Sequence, residues 1–359
     1  MTSIFFKDRL INIPKNYSHQ IENIDKDEFY KKFSKVVLSC YFTGKKDPIH
    51  HAELENEKQK ENNYLYMKPL YESCLNLKLH LIIFHDNLSK RFIDQYTTDR
   101  IIFRKVDLVS KLSINDERYI IYYEYLTSNP YDAIFSSDIS DVYLKGDPFT
   151  LRKTFHKRNG IDQSVVESLL ESEKIKVDVS KSKYKLIFDD GNKMSTPEAI
   201  RYLKGLRPLD IQNYSLPNLL FIGTNSIDGG PEVKTYEWFE RRKDKIDAFN
   251  EALRNYIPKY REFTAGDFQI YNPGTIMGNY NTYMCFIKRF LKILFVCCKI
   301  RENNNWNMVI ANYVCHHFLK EGYNPDTYHS KYIYTGYPFN SIYQRRENVK
   351  KSKCYVIHK

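Results

Sequence analysis

The chain has 359 residues, 42% hydrophobic and 28% charged, which is enough to bury a large core and excludes a disordered protein. Its net charge of +11 invites a polyanionic partner, yet Lys and Arg are scattered, with only short clusters at 240–245 and 345–353. A nucleic-acid reader concentrates its charge on one face or helix, so the expectation is a small phosphorylated ligand and no nucleic acid.

"KVVLSCYF" at 35–42 predicts a first strand, ending in the polar loop "TGKKDPIHHAE", whose His50 and His51 read as solvated. "YLYMKPLYESCLNLK" follows as a helix, with Tyr66, Leu70 and Cys74 at i, i+4 and i+8. "LHLIIFHD" predicts a strand, "NLSKRFIDQY" a helix and "RIIFRKVD" another strand. Residues 113–130 predict a helix capped by Ser113 or Asn115, with Arg118 inside its first turns. "YDAIFSSD" is a short apolar run that fits a buried central strand. The alternation is that of βαβ units and predicts an α/β fold, a mostly parallel central sheet flanked by helices.

From 150 to 235 the pattern weakens, with helical stretches at 165–175 and 196–206 and strands in "YKLIFDD" and "LPNLLFIG". This segment reads as an insertion or elaboration within a single domain spanning 1–359. Residues 232–256 predict one long amphipathic helix, and 267–280 a strand that breaks at Pro273 and Gly274. Two more helices carry the chain to about 320. The first contains the apolar run 285–298, too short to span a bilayer and interrupted by Lys288, Arg289 and Lys292. Its Phe286, Phe290, Ile293, Leu294 and Cys297 share one face, the pattern of a core helix. The terminal "CYVIHK" predicts a short strand that docks. Seven cysteines without metal-type spacing read as reduced thiols, and the N-terminus has no apolar core of signal-peptide length, so a cytoplasmic location is expected.

"FSSDISDVYLKGDPF" places Asp138 and Asp141 at the carboxyl end of the central strand. That edge is where open α/β sheets bind ligands, and an unpaired charge there would be costly to bury. Two carboxylates on a strand-to-loop bend can hold a hard divalent cation, which would neutralise a diphosphate as it leaves. An ordinary strand-end turn is the plain alternative. Asp189 and Asp190 form a rival acidic pair, but "DG" after a strand is a turn signal.

These residues resemble the GT-A nucleotide-sugar glycosyltransferases, whose apolar strand ends in an Asp-x-Asp metal motif followed by a short strand and a "DPF"-like turn. Other segments follow in the family's order. "VVLSCYFTGKKDP" is similar to the first strand and base loop, and "LIIFHDNLS" to the second strand. "NDERYIIYYEYL" resembles the helix whose Arg reaches the donor, "YNPGTIMGNY" the segment beneath the sugar, and "VIHK" the late strand that supplies a His and a Lys. The resemblance covers most of the chain outside 150–235. It implies a GT-A-like fold and transfer of a hexose from a nucleoside-diphosphate sugar, a uridine one above all, to a glycan, protein or small-molecule hydroxyl acceptor. Manganese or magnesium would be held by Asp138, Asp141 and His358. Tyr41, Thr43, Asp86, Arg118 and Lys359 would contact the donor, with Asn272, Gly274 and Asp267 on the sugar and acceptor side and "GYPF" at 336–339 closing over it.

Two departures stand out. Here two residues, Ile139 and Ser140, separate the acids where the family has one, so the bend is longer or Ser140 or a water fills one place. Where relatives carry an Asp, the matching residue is Asn307, and an amide cannot act as a general base. An inverting transfer would need its base elsewhere, with Asp267 as candidate; a retaining transfer, assisted by the departing phosphate, needs none and is preferred. Those departures also motivate the alternative of a binding or scaffold protein that keeps the fold without turnover. A nucleotidyltransferase would need a Gly-rich phosphate loop near the first strand, where "TGKKDP" has one Gly. A cytoplasmic location would suit a bacterial, protist or large-virus enzyme.

Overall fold

The computed structural model describes residues 11–26, 28–45, 62–108, 110–150, 176–180, 183–187, 193–194, 220–224, 235–257, 260–265, 270–302, 304–317, 333–334 and 356–358. The chain divides into two compact units, residues 149–218 and the remainder on either side.

In the larger unit the strands are β1 (Gln20–Ile21), β2 (Lys35–Tyr41), β3 (Leu81–His85), β4 (Ile101–Asp107), β5 (Ala133–Ser137) and β6 (Val142–Leu144). In the smaller unit, β7 (Lys176–Ser180), β8 (Lys183–Ile187) and β9 (Lys193–Met194) form an antiparallel sheet. The larger unit resumes with β10 (Leu220–Thr224), β11 (Tyr271–Asn279), β12 (Ile333–Tyr334) and β13 (Val356–His358). Its main sheet has the order β1-β4-β3-β2-β5-β11-β10-β12, and β6 pairs with β13 in a separate two-stranded ribbon. β4, β3, β2 and β5 run parallel; β11 is antiparallel to both β5 and β10.

The parallel strands are near-continuous apolar runs because both faces are covered. Leu38, Ile82, Phe84 and Ile134 point into the main core, while Val37, Ile83 and Phe135 point the other way and are equally buried. The helices are α1 (Glu28–Lys32), α2 (Tyr64–Asn76), α3 (Lys90–Tyr96), α4 (Ile114–Ser128), α5 (Thr235–Glu240), α6 (Lys243–Tyr256), α7 (Tyr280–Cys297) and α8 (Asn307–His317). This is the expected α/β architecture, a mixed but mainly parallel sheet flanked by helices.

Two expectations are corrected. The helix expected over 232–256 is two helices: Arg242 leaves helical geometry at ψ 17° and lays its guanidinium over the Trp238 ring, 4.8 Å from the centroid. The strand expected to break at Pro273 and Gly274 runs unbroken as β11. The irregularity is instead a bulge: β10 pairs Ile222 with Ile276 and Gly223 with Asn272, skipping 273–275. Pro273 has no N–H to give a ladder, so it needs such an unpaired place in a central strand.

α7 buries Phe286, Phe290, Ile293, Leu294 and Cys297, as its pattern predicts. Among the described residues no helix is long and apolar enough to cross a membrane. The helices expected at 165–175 and 196–206, His50, His51, Asp189, Asp190 and the "GYPF" stretch lie outside the described residues.

Candidate metal centre at the carboxyl edge of the sheet

The bulge frees the carbonyls of Pro273 and Gly274 from β10. The Asp138 N–H donates to the Gly274 carbonyl at 2.9 Å, which seats the end of β5 against β11. Asn272 Oδ1 accepts from the Gly274 N–H at 2.9 Å, tightening the same turn. From this corner the chain bends through buried Ile139 to Asp141 and enters β6, whose Val142 pairs with His358 of β13.

The bend and β13 bring the expected group together. His358 Nε2 lies 3.4 Å from Asp138 Oδ2 and 3.3 Å from Asp141 Oδ2. One ligand atom from each of the three residues lies within 4.8 Å of the other two. The longer Asp-x-x-Asp spacing therefore does not separate the carboxylates. His358 is buried, while the two Asp side chains remain about 30% exposed, so the group opens to solvent on its acidic side. A Cβ on Gly274 would fall 3.0 Å from His358 Nε2 and closer still to His358 Cε1 and Asp138 Oδ2, so only glycine leaves room here.

Arg118, near the start of α4, reaches the same carboxylate. Its Nη1 pairs with Asp138 Oδ1, and its Nη2 donates to the Pro273 carbonyl at 3.3 Å, where the Tyr119 hydroxyl also donates at 3.0 Å. Burial would push the Asp138 carboxyl up, but Arg118 first and His358 second hold it well below the usual carboxylate range. Burial would lower the His358 imidazole, but Asp141 and Asp138 draw it up to about 10. Without a cation, two carboxylates thus face one guanidinium and one imidazolium.

The residues fit a divalent cation. Two carboxylates and one imidazole suit manganese, or magnesium with fewer protein ligands. Asp141 Oδ1 is buried and has no hydrogen-bond partner among the described residues, and the space left by Gly274 adjoins the group.

The other expected residues fall in different places. At the end of β3, Asp86 accepts from the backbone N–H groups of Thr43 at 3.0 Å, Gly44 at 2.6 Å and Asn87 at 2.8 Å, so its carboxylate shapes the loop after β2. A Cβ on Gly44 would lie 2.7 Å from Asp86 Oδ2. Tyr41 is fully buried beside Tyr66 and Phe92, its hydroxyl donating to the Asn63 carbonyl and accepting from the Asn63 N–H, each at 3.0 Å. Asn307 is buried at the start of α8, its Oδ1 accepting from the Met308 N–H at 2.7 Å. Asp267 and Lys359 lie outside the described residues.

Sequence reasoning missed what surrounds Arg118. Asp116, Glu117 and Arg118 are all buried and fan out in three directions. Asp116 Oδ2 accepts from the Trp306 N–H and the Ser113 hydroxyl, each at 2.8 Å, and Glu117 accepts from Lys45, His19 and Ser110. The available signal was an apolar "YIIYYEYL" directly after the three charges: a helix apolar on most sides is buried, and its first turn goes with it.

Compared with known proteins, the sequence matches no family model and no curated sequence. Among solved structures it is similar to the galactosyltransferase LgtC in complex with donor and acceptor sugar analogues. The identity is 11%, over 90% of this chain and 86% of that one, at a TM-score of 0.35. So loose a superposition carries no functional argument; the chemistry rests on the residues themselves.

Proposed function

We propose that this chain is a metal-dependent glycosyltransferase that moves a hexose from a nucleoside-diphosphate sugar, a uridine one by preference, to a hydroxyl acceptor. The observation that carries the reading is the Asp138, Asp141 and His358 group at the carboxyl edge of a central strand, with the space beside Gly274 kept clear. Those three residues would hold the cation, manganese or magnesium, and the bound ion would neutralise the diphosphate as it leaves.

This chain's own residues do the rest. Arg118 anchors Asp138 and would meet the donor's phosphates, a role Lys359 would share. Thr43 would face the base on the loop that Asp86 fixes, with Tyr41 buried at the end of β2 supporting that edge, and Asn272, Gly274 and Asp267 would belong to the sugar and acceptor side. Asn307 in the position of an expected acid favours a retaining transfer. In it the acceptor oxygen bonds to the anomeric carbon on the face from which the diphosphate departs, and the acceptor proton passes to the departing phosphate oxygen.

One observation favours a second reading. Arg118 and a protonated His358 already balance the two carboxylates, as a purely structural cluster in a non-catalytic scaffold would. A panel of nucleotide sugars with manganese, scored for release of nucleoside diphosphate, separates the two. Release from one donor, lost in Asp138→Ala and His358→Ala, is expected. No release from any donor, together with no manganese-dependent nucleotide binding by folded protein, would leave the scaffold.

A further inference from the structure

The loop that leaves β2 at the ligand edge is pinned from two sides. Asp86 takes the N–H groups of Thr43 and Gly44. The next residue, Lys45, turns the other way, pairing its ammonium with Glu117 Oε2 and donating to the Leu112 carbonyl at 3.3 Å. Glu117 is entirely buried, whereas the Lys45 side chain keeps 20% of its surface exposed. The carboxylate's other oxygen accepts from His19 Nε2 at 2.8 Å and the Ser110 hydroxyl at 2.6 Å. A buried carboxylate is kept charged only by partners of this kind; burial would push it up, but His19 and Lys45 hold it low. His19 is itself fixed by Glu124, whose oxygens accept from its backbone N–H at 3.1 and 3.2 Å.

Glu117 therefore joins the N-terminal segment, the loop after β2 and the first turn of α4, and its chain neighbour Arg118 reaches Asp138. We infer that Glu117 is a positioning residue: through Lys45 it fixes the loop after β2 against α4, and so sets the nucleotide side of the ligand edge relative to Arg118. Its effect on the donor rests on the transferase reading above; the clamp itself does not.

The test combines a double-mutant cycle with amine labelling. Manganese and uridine diphosphate are titrated calorimetrically into wild type, Glu117→Gln, Lys45→Met and the double variant, well below each melting temperature. In the ligand-free proteins, the acetylation rate of Lys45 is read by peptide mass spectrometry. Glu117→Gln is expected to speed Lys45 labelling severalfold. Each single variant is expected to weaken nucleotide binding about tenfold, with the double variant no weaker than either single, because both break one link. Asp116→Asn, a change of buried charge in the same turn directed at Trp306, is expected to leave the affinity unchanged. Lys45→Met keeps the test open if Glu117→Gln fails to fold, since Lys45 is partly exposed. Unchanged affinity in either single variant, additive losses, or an equal loss in Asp116→Asn would reduce Glu117 to a structural buried acid and overturn the inference. If wild type takes up no manganese and uridine diphosphate, the transferase reading fails; unchanged Lys45 labelling would then overturn the clamp as well, and faster labelling would support it.

Discussion

At the scale of single residues, Gly274 and Asp116 illustrate two different constraints. Gly274 is set by contact, because any side chain there would meet His358 and Asp138. Gly274→Ala is expected to weaken manganese binding by about 10- to 100-fold, the range for groups that orient metal ligands, with the folded circular dichroism spectrum retained. Undiminished uptake in calorimetry would place the cation elsewhere. Asp116 is set by solvation: full burial raises its carboxyl from 3.8 to about 6 despite help from the Trp306 N–H and Ser113. The folded state thus holds the proton more tightly than the unfolded one. Stability from this residue is fully present below about pH 4, is lost as pH rises through about 6, and is flat above. Asp116→Asn does not titrate, so wild type should lose roughly 3 kcal/mol relative to the variant between pH 4 and 7. Urea midpoints that run parallel for the two proteins across that range would contradict this account. Asp138 and Asp141 were conspicuous in the sequence because acids at a strand end are local, whereas His358 was expected only through the family resemblance; the structure brings the three side chains together. Sequence reasoning missed Asp116, Glu117, Lys45 and His19 because their partners are supplied by distant segments.

At the scale of elements, legibility followed how local the deciding force was. β2, β3 and the first three residues of β4 and β5 were readable because burial on both faces writes a continuous apolar run. α4 was readable from its cap, since Ser113 Oγ accepts from the Asp116 N–H at 3.2 Å while its hydroxyl donates to Asp116 Oδ2 at 2.8 Å. The stop between α5 and α6 was not, because Phe239, Ile246 and Phe249 continue the helical spacing straight through it. Pro273 and Gly274 signalled an irregularity, but whether it ended the strand or bulged it depended on the register of β10, a partner distant in sequence. β13 is short, two buried aliphatic residues and His358, and among the described residues it pairs with β6. Removing residues 356–359 is expected to cost about 3 to 6 kcal/mol from the lost burial of Val356 and Ile357 while leaving the main sheet folded. Manganese uptake should go with it. Retention of full manganese affinity by the shortened chain would remove His358 from the ligand set.

At the scale of the whole larger unit, the candidate centre is a junction between segments far apart in the chain. Asp138 directly follows β5, Asp141 directly precedes β6, His358 ends β13, the β11 bulge supplies Gly274, and Arg118 links in α4. In the metal-free protein this junction is closed by ion pairs, which cost desolvation and return little net stability. A cation held by all three ligands would join the same segments in the folded state alone, because unfolding scatters its ligands. By linkage such a ligand adds about 2.7 kcal/mol of stability when its concentration is 100 times its dissociation constant. For a chain of this size that corresponds to a rise of about 3 to 4 °C in melting temperature. Manganese is therefore expected to raise the thermal midpoint of wild type by that amount and to leave His358→Ala and Asp138→Ala unmoved, whereas calcium at equal concentration should do less, because it takes six to eight oxygen ligands and one of the three groups here is an imidazole nitrogen. The charge-balanced scaffold gives a different result in the same scan: with Arg118 and His358 already occupying the carboxylates, manganese would produce no shift in wild type. His358→Ala, by leaving a buried pair broken, would then melt several degrees lower with or without the metal.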